Sequence, residues 1–180
     1  MKLYAYEMDS PIAKLVITGS SRGLARVDFG SWREVCDQIQ TWAERWHGRG
    51  GLANKESVLQ FMPGSQAEAV RQLQEYFAGE RTRFELTLDL KGTSFQRKVW
   101  SALQTIPYGE TCSYKDIAAI IGNEKAMRAV GGANNRNPIS IIVPCHRVIG
   151  QNGQLIGYGG GLHIKRMLLQ LENDFSKRML

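Results

Sequence analysis

Hydrophobic and polar positions change their period several times along this chain, and each change marks an element. In the first 30 residues, short apolar runs at Lys2 to Met8, Leu15 to Thr18 and Leu24 to Phe29 are separated by Asp9-Ser10-Pro11 and Gly19-Ser20-Ser21-Arg22-Gly23. That is the pattern of a β meander with polar turns. From Trp32 to Trp46 the apolar residues Val35, Ile39, Trp42, Ala43 and Trp46 recur at three-and-four spacing, which predicts an amphipathic helix with Cys36 packed in it. His47 to Ser57 is polar and glycine-rich and predicts an exposed loop. A second helix is predicted over Gln66 to Phe77, ended by Gly79, and a further strand over Phe84 to Leu90.

Helical periodicity resumes after Lys91-Gly92-Thr93, the predicted junction, with Ser94 capping a helix that carries Phe95, Val99, Trp100 and Leu103. Ile106-Pro107-Tyr108-Gly109 ends it in a turn. Ser113-Tyr114-Lys115-Asp116 has the form of a capping box, opening a helix with Ile117, Ala118 and Ile121 that Gly122 stops; Asn123 then caps another helix to Asn134. Two short helices joined at a glycine predict a helix-turn-helix. Ile139 to Val143, broken only by Ser140, reads as a buried strand whose ladder Pro144 must stop. Val148-Ile149-Gly150 and Leu155-Ile156-Gly157 flank Asn152-Gly153 as a predicted hairpin. A last helix, His163 to Glu172, is expected to bury Ile164, Met167, Leu168 and Leu171, with Glu172 at the edge of that face. The expected class is α+β: residues 1–90 form a small sheet with helices in a supporting domain, and residues 91–180 form a mainly helical domain that contains the helix-turn-helix.

Composition narrows the setting. The chain has 180 residues, 43% of them hydrophobic, enough for an ordinary packed core. No apolar run approaches the roughly 20 residues that span a bilayer, and Met1-Lys2-Leu3 leads into strand-like residues rather than a signal-peptide core, so an intracellular, cytoplasmic protein is expected. Cys36, Cys112 and Cys145 are odd in number and widely spaced, which suggests neither a disulfide framework nor a zinc ribbon. The net charge of +6 is uneven: residues 1–90 carry 11 Lys+Arg against 12 Asp+Glu, and residues 91–180 carry 12 against 5. A basic half that holds a helix-turn-helix points to nucleic acid, although solubility alone accounts for a milder excess.

Candidate chemistry gathers at Pro144-Cys145-His146-Arg147-Val148, where a thiol, an imidazole and a guanidinium are consecutive. In an extended backbone Cys145 and His146 would face opposite ways, so a bent backbone or a bridging water is required, with a carboxylate to orient the ring; Glu172 suits that role. Between Ala126 and Ala133 almost every residue is small, Gly131 and Gly132 are adjacent, and Arg128 stands out. Either a neighbouring helix packs closely there, or the smooth surface enters a shallow nucleic-acid groove while Arg128 reaches into the base stack. Asn137, just before Pro138, is placed to clamp two elements together. Tyr158 beside Gly159, Gly160 and Gly161 is either a linker or a pocket wall that a flat ligand approaches closely.

These residues resemble the O6-alkylguanine-DNA alkyltransferases. The likeness covers nearly all of Ser94 to Glu172 and rests on Pro144-Cys145-His146-Arg147-Val148, Phe95-Gln96 with Val99-Trp100, Tyr108-Gly109-Glu110, Ser113-Tyr114, Arg128-Ala129-Val130-Gly131 and Asn137-Pro138. The resemblance implies suicide repair without a dissociable cofactor, in which Cys145 takes the alkyl group from the O6 atom of a flipped guanine, and O4-alkylthymine is a further expected substrate. It implies that His146, Glu172 and a water activate the thiol, that Tyr114 helps rotate the phosphate and protonates the leaving guanine, and that Asn137 supports the site. It places Arg128, Tyr114, Lys115, Asn123 and Gln151 on the minor groove of double-stranded DNA, and Asn134, Val148, Tyr158, Gly159 and Gly160 around the base. A monomer is expected. No zinc is expected, because the first half offers only Cys36 and His47. Competing expectations are a lesion-binding protein or helix-turn-helix regulator, which the presence of Cys145 opposes, and a Cys–His hydrolase, for which no sequence-remote histidine is well placed.

Overall fold

The computed structural model describes residues 3–48 and 64–178. The predicted His47 to Ser57 loop lies, beyond Gly48, outside them. The chain divides into two units, Met1–Lys91 and Gly92–Leu180.

In the first unit, β1 (Tyr4–Met8), β2 (Leu15–Ser20) and β3 (Gly23–Phe29) form an antiparallel sheet in the order β1-β2-β3. Tyr4 pairs with Gly19 and Met8 with Leu15, and β2 pairs with β3 from Leu15–Phe29 to Ser20–Gly23 with an irregularity at Thr18/Gly19. α1 (Trp32–His47) sets Val35, Ile39 and Ala43 against Leu3, Ala5 and Val16. Strand alternation directs Leu15 and Ile17 to the opposite face. α2 (Gly64–Ala78) packs on β2 and β3 with Ala69, Leu73 and Tyr76 buried. Covered in this way, all six residues of β2 are buried. Cys36 is only half-buried, at the edge of α1 rather than in its core.

The predicted strand at Phe84 to Leu90 is instead an irregular segment with one parallel bridge, Leu24 to Leu88. The reason is competition for its backbone: buried Gln72 accepts from Glu85 N at 2.8 Å and donates to Glu85 O at 3.1 Å, and a side chain thus occupies groups a strand would need. A Cβ at Gly23 (φ 141°) would lie 2.4 Å from Thr87 O, so this approach requires glycine.

In the second unit α3 (Ser94–Leu103) is capped by Thr93, not Ser94. Thr93 Oγ1 accepts from Gln96 N, and Gln96 Oε1 accepts from Thr93 N, a reciprocal pair that starts the helix where both donors are satisfied. Trp100 is buried and donates through Nε1 to Ala133 O at 2.9 Å. α4 (Tyr114–Ile120) follows the two-residue strand β4 (Cys112–Ser113) and opens on the Ser113/Asp116 capping box. The helix after Gly122 begins later than its pattern suggests. Asn123 makes no side-chain cap; its carbonyl accepts from Ala126 N, closing a 3-10 turn over Glu124–Ala126, and α5 runs Met127–Asn135. α4 and α5 pack together as the helix-turn-helix pair.

Ile139 to Val143 is buried but is not a strand. Val143 N donates to Ile139 O at 2.9 Å, Ile142 N donates to Ser140 O, and Ile141 takes φ 72°, so the run winds through turns. Pro144, at φ −80° and ψ 61°, closes an inverse γ-turn in which Cys145 N donates to Val143 O at 2.8 Å. A 3-10 turn, Cys145–Arg147, leads into β5 (Val148–Ile149), which pairs in parallel with β4. That pairing replaces the predicted hairpin: a tight turn does form at Asn152-Gly153, closed by Gly150 N to Gln154 O, but Leu155 to Gly157 is irregular. α6 (Leu162–Arg178) is longer than predicted at both ends; it buries Ile164, Lys165, Leu168 and Glu172 and leaves Met167 42% exposed.

Candidate active site

Cys145 sits at the first position of its 3-10 turn and is 3% exposed. Asn137, held by its Oδ1 accepting from Ile139 N at 3.0 Å, donates through Nδ2 both to Val143 O at 2.8 Å and to Cys145 Sγ at 3.0 Å. The same amide therefore fixes the turn before the cysteine and solvates its sulfur. Burial raises the thiol's pKa; the bonds from Asn137 and Ser140 and the charge of Lys165 oppose that rise. At rest the group is a thiol that needs a base.

His146 is completely buried and its Nε2 lies 2.7 Å from Glu172 Oε1. Arg147 grips the same carboxylate with two prongs, Nε to Oε2 and a terminal NH₂ to Oε1, both at 2.9 Å. Gly109 N donates to Oε2 at 3.1 Å. Four bonds converge on the two oxygens, so the carboxylate's acceptor capacity is filled. Burial alone would raise the Glu172 pKa, but its bonds to His146 and Arg147 outweigh that and hold the carboxyl well below the usual range. Burial depresses the imidazole pKa despite the neighbouring carboxylate. A neutral ring facing an ionised acceptor must donate from Nε2, which leaves Nδ1 as a lone pair; that atom is buried without a hydrogen-bond partner among the described residues. Arg147, whose role the sequence left open, is thus the permanent counter-charge of Glu172. It also donates to Ile106 O at 2.7 Å and stacks over Tyr108.

A residue the sequence reading missed completes the setting. Lys165 is 0% exposed, and its Nζ donates to Val148 O at 2.6 Å and Ile156 O at 2.9 Å. Burial pushes its pKa down to about 8, against the pull of Cys145. The signal was present in α6, where Lys165 shares a stripe with Leu168 and Glu172. The Tyr114 hydroxyl donates to the same Ile156 carbonyl at 2.9 Å, and burial raises its pKa, keeping the proton on oxygen.

Tyr114 also lines a groove of about 450 Å³ along the helix pair, with Lys115, Arg128, Gly131, Gly132 and Gln151 among its other walls. A Cβ at Gly131 would meet only the Tyr114 ring at 3.8 Å, and one at Gly132 only the guanidinium of Arg136 at 3.3 Å. Helix packing therefore does not account for the paired glycines; they keep the groove wall smooth. Asn123 is exposed between the helices and outside that wall. Of the residues expected around a base, Tyr158 is buried close to the Ser140 and Cys145 side chains, and burial raises the pKa of its hydroxyl. Val148 is buried, and its carbonyl is held by Lys165. Gly159 is exposed and Gly160 half-buried. Asn134 is buried, with Nδ2 donating to Cys145 O at 3.4 Å.

A buried thiol beside a buried His–Glu–Arg network, in the unit that carries a helix-turn-helix, is the arrangement expected of a DNA-binding protein with a reactive cysteine. The family profile for the DNA-binding domain of 6-O-methylguanine DNA methyltransferase matches residues 94–174, and that for the same family's ribonuclease-like domain matches residues 3–90. The chain belongs to the 6-O-methylguanine DNA methyltransferase family. It is 48% identical over 172 residues to a methylated-DNA–protein-cysteine methyltransferase of Methanosarcina acetivorans, covering 96% of this chain and 99% of that protein. To the protein of that name in Mycobacterium leprae it is 49% identical, covering 94% and 92%. It is also similar to the crystal structure of Mycobacterium tuberculosis OGT in complex with DNA, with a TM-score of 0.77, 44% identity, and 97% and 94% of the two chains covered.

Proposed function

We propose that this chain repairs alkylated DNA by direct reversal, moving the alkyl group from O6 of guanine to Cys145 in a single turnover. The observation that carries this reading is the pairing of an amide-solvated thiol with a neutral imidazole whose free Nδ1 belongs to the adjacent residue. In the proposed reaction a water relays the thiol proton to His146 Nδ1, and Glu172, kept ionised by Arg147, stabilises the imidazolium that forms. The thiolate attacks the alkyl carbon, the S–C bond forms as the C–O6 bond breaks, and guanine departs while Tyr114 delivers a proton to the ring. The thioether has no good leaving group, so the protein is consumed.

The family relation and the DNA complex of the M. tuberculosis protein support duplex DNA as the partner. The chain binds as a monomer from the minor groove, with Lys115, Asn123 and Gln151 on the backbone, Tyr114 turning the phosphate, and Arg128 filling the space left by the flipped nucleotide. Unstacking costs a few kcal/mol and is least for a damaged base. Val148, Tyr158, Gly159 and Gly160 enclose the base. O4-alkylthymine fits the same chemistry. At Gly159 an added Cβ would meet Asn135 O at an ordinary contact distance of 3.7 Å, so a side chain there fits without a clash and its absence shapes tolerance for bulky alkyl groups.

Mass spectrometry after incubation with a duplex containing O6-methylguanine tests the proposal. One methyl group is expected on the Cys145 peptide and none in Cys145→Ala. An unmodified peptide with DNA still bound would replace repair with lesion binding.

A further inference from the structure

Most of the large hydrophobic side chains exposed among the described residues lie away from the groove, but Met127, at the start of α5 and 44% exposed, and Ile156, in the segment after β5 and 51% exposed, both line it. Ile156 is held firmly for an exposed residue. Its carbonyl accepts from the Tyr114 hydroxyl and from Lys165 Nζ, both at 2.9 Å, and Lys165 is itself buried. A Cβ at Gly150 would lie 2.9 Å from Ile156 Cδ1, so glycine there leaves the space in which that side chain rests. The charged residues of the same groove are Lys115 and Arg128, and among the described residues no carboxylate lines it. Cations suit the phosphates of a nucleic-acid strand. The apolar pair beside them suits the sugars.

We propose that Met127 and Ile156 are specificity-determining residues for the sugar: they pack on the deoxyribose of the nucleotide drawn toward Cys145 and disfavour a ribose there, so that the chain prefers alkylated DNA over the same lesion in RNA. The inference rests on the alkylguanine reading and deepens it. With the base at Cys145 and the phosphates against Lys115, the sugar that joins them must cross the groove, where the apolar pair stands. Deoxyribose presents C2′ as a methylene, which leaves water against Ile156 or Met127 without losing a hydrogen bond. Ribose presents a hydroxyl there, a donor and acceptor that the Ile156 and Met127 side chains do not match, and burying it unpaired is unfavourable. The 2′-hydroxyl is the group by which a protein tells RNA from DNA at a given site.

The test measures single-turnover methyl transfer from DNA duplexes whose one O6-methylguanine nucleotide carries a hydrogen, a hydroxyl or a fluorine at C2′. The wild-type protein is expected to react with the deoxy lesion about tenfold faster than with the ribo lesion, the effect of one hydroxyl buried without a partner. The 2′-fluoro lesion keeps a ribose-like pucker without a hydroxyl and should react like the deoxy one. Ile156→Thr, alone and together with Met127→Gln, offers the hydroxyl a partner and should bring the deoxy-to-ribo ratio close to one, whereas Ile156→Val should keep the wild-type ratio. Because the ratio is taken within each variant, a loss of folded protein cancels from it. Equal rates for the deoxy and ribo lesions in the wild-type protein, or a ratio unchanged in the double variant, would overturn the proposal. So would a 2′-fluoro lesion as slow as the ribo one, which would assign the preference to sugar pucker. Absence of transfer from the deoxy lesion in the wild-type protein would overturn the repair reading itself, which separates the two failures.

Discussion

Both units hold an arginine–carboxylate pair around a buried carboxylate, and they connect it to different neighbours. In the first unit Arg26 and Asp28 lie two residues apart on β3; Arg26 Nε donates to Asp28 Oδ2 at 2.8 Å, Gln38 donates to Oδ1, and Trp42 stacks on the guanidinium. Every neighbour there is inert, and the pair joins strand to helix. In the second unit Arg147 and Glu172 are 25 positions apart, and the carboxylate also receives an imidazole next to the thiol. The difference teaches that a buried ion pair becomes functional through what shares its carboxylate. In Arg147–Glu172 the ion pair keeps an acceptor ionised, which fixes the proton of the neighbouring imidazole on Nε2, while burial and the arginine's charge keep that ring neutral.

Glu172→Gln should break the comparison most sharply. Removing one charge leaves Arg147 buried without its partner, so destabilisation of about 3–5 kcal/mol is expected, together with a loss of about 100-fold or more in methyl-transfer rate. Asp28→Asn should cost about 2 kcal/mol in urea unfolding and leave transfer per folded molecule unchanged. Equal losses of transfer in the two variants would erase the distinction.

Arg147→Met tests the division of labour by pH. Burial, and the charge of Arg147 in the same direction, depress the pKa of His146, so the ring stays a base below the ordinary imidazole value of about 6.5. Without Arg147 the pull of Glu172 is less opposed and the imidazole pKa rises. The acid limb of the transfer rate should therefore move to higher pH; an unmoved limb would mean that Arg147 serves only packing.

The smallest effect is expected at Gly131→Ala. The added methyl meets only the Tyr114 ring at an ordinary 3.8 Å, and alanine favours helix over glycine by about 1 kcal/mol. Thermal stability should hold or rise slightly while repair of duplex DNA slows. A fall in stability would return the glycines to a packing role.

Much of this was legible along the chain, and the exceptions have causes. Periodicity located α1, α2 and the meander, because amphipathic faces are local patterns. The Ser113/Asp116 box marked the start of α4, because its bonds close within four residues. Ile139 to Val143 was misread because an apolar run records burial and not backbone angle; a left-handed Ile141 carries no sequence mark. Lys165 was missed because a charge on an apolar stripe acquires its meaning only when two carbonyls, from Val148 and Ile156, come to meet it. Cys145, His146 and Arg147 could be named as candidates from their side chains, since nucleophile, base and cation are properties of residue type. Their division of roles belongs to tertiary structure. The carboxylate of Glu172 arrives from 25 residues away, Gly109 completes it from 63, and the burial that keeps His146 neutral exists only once α6 has packed over the Cys145 turn.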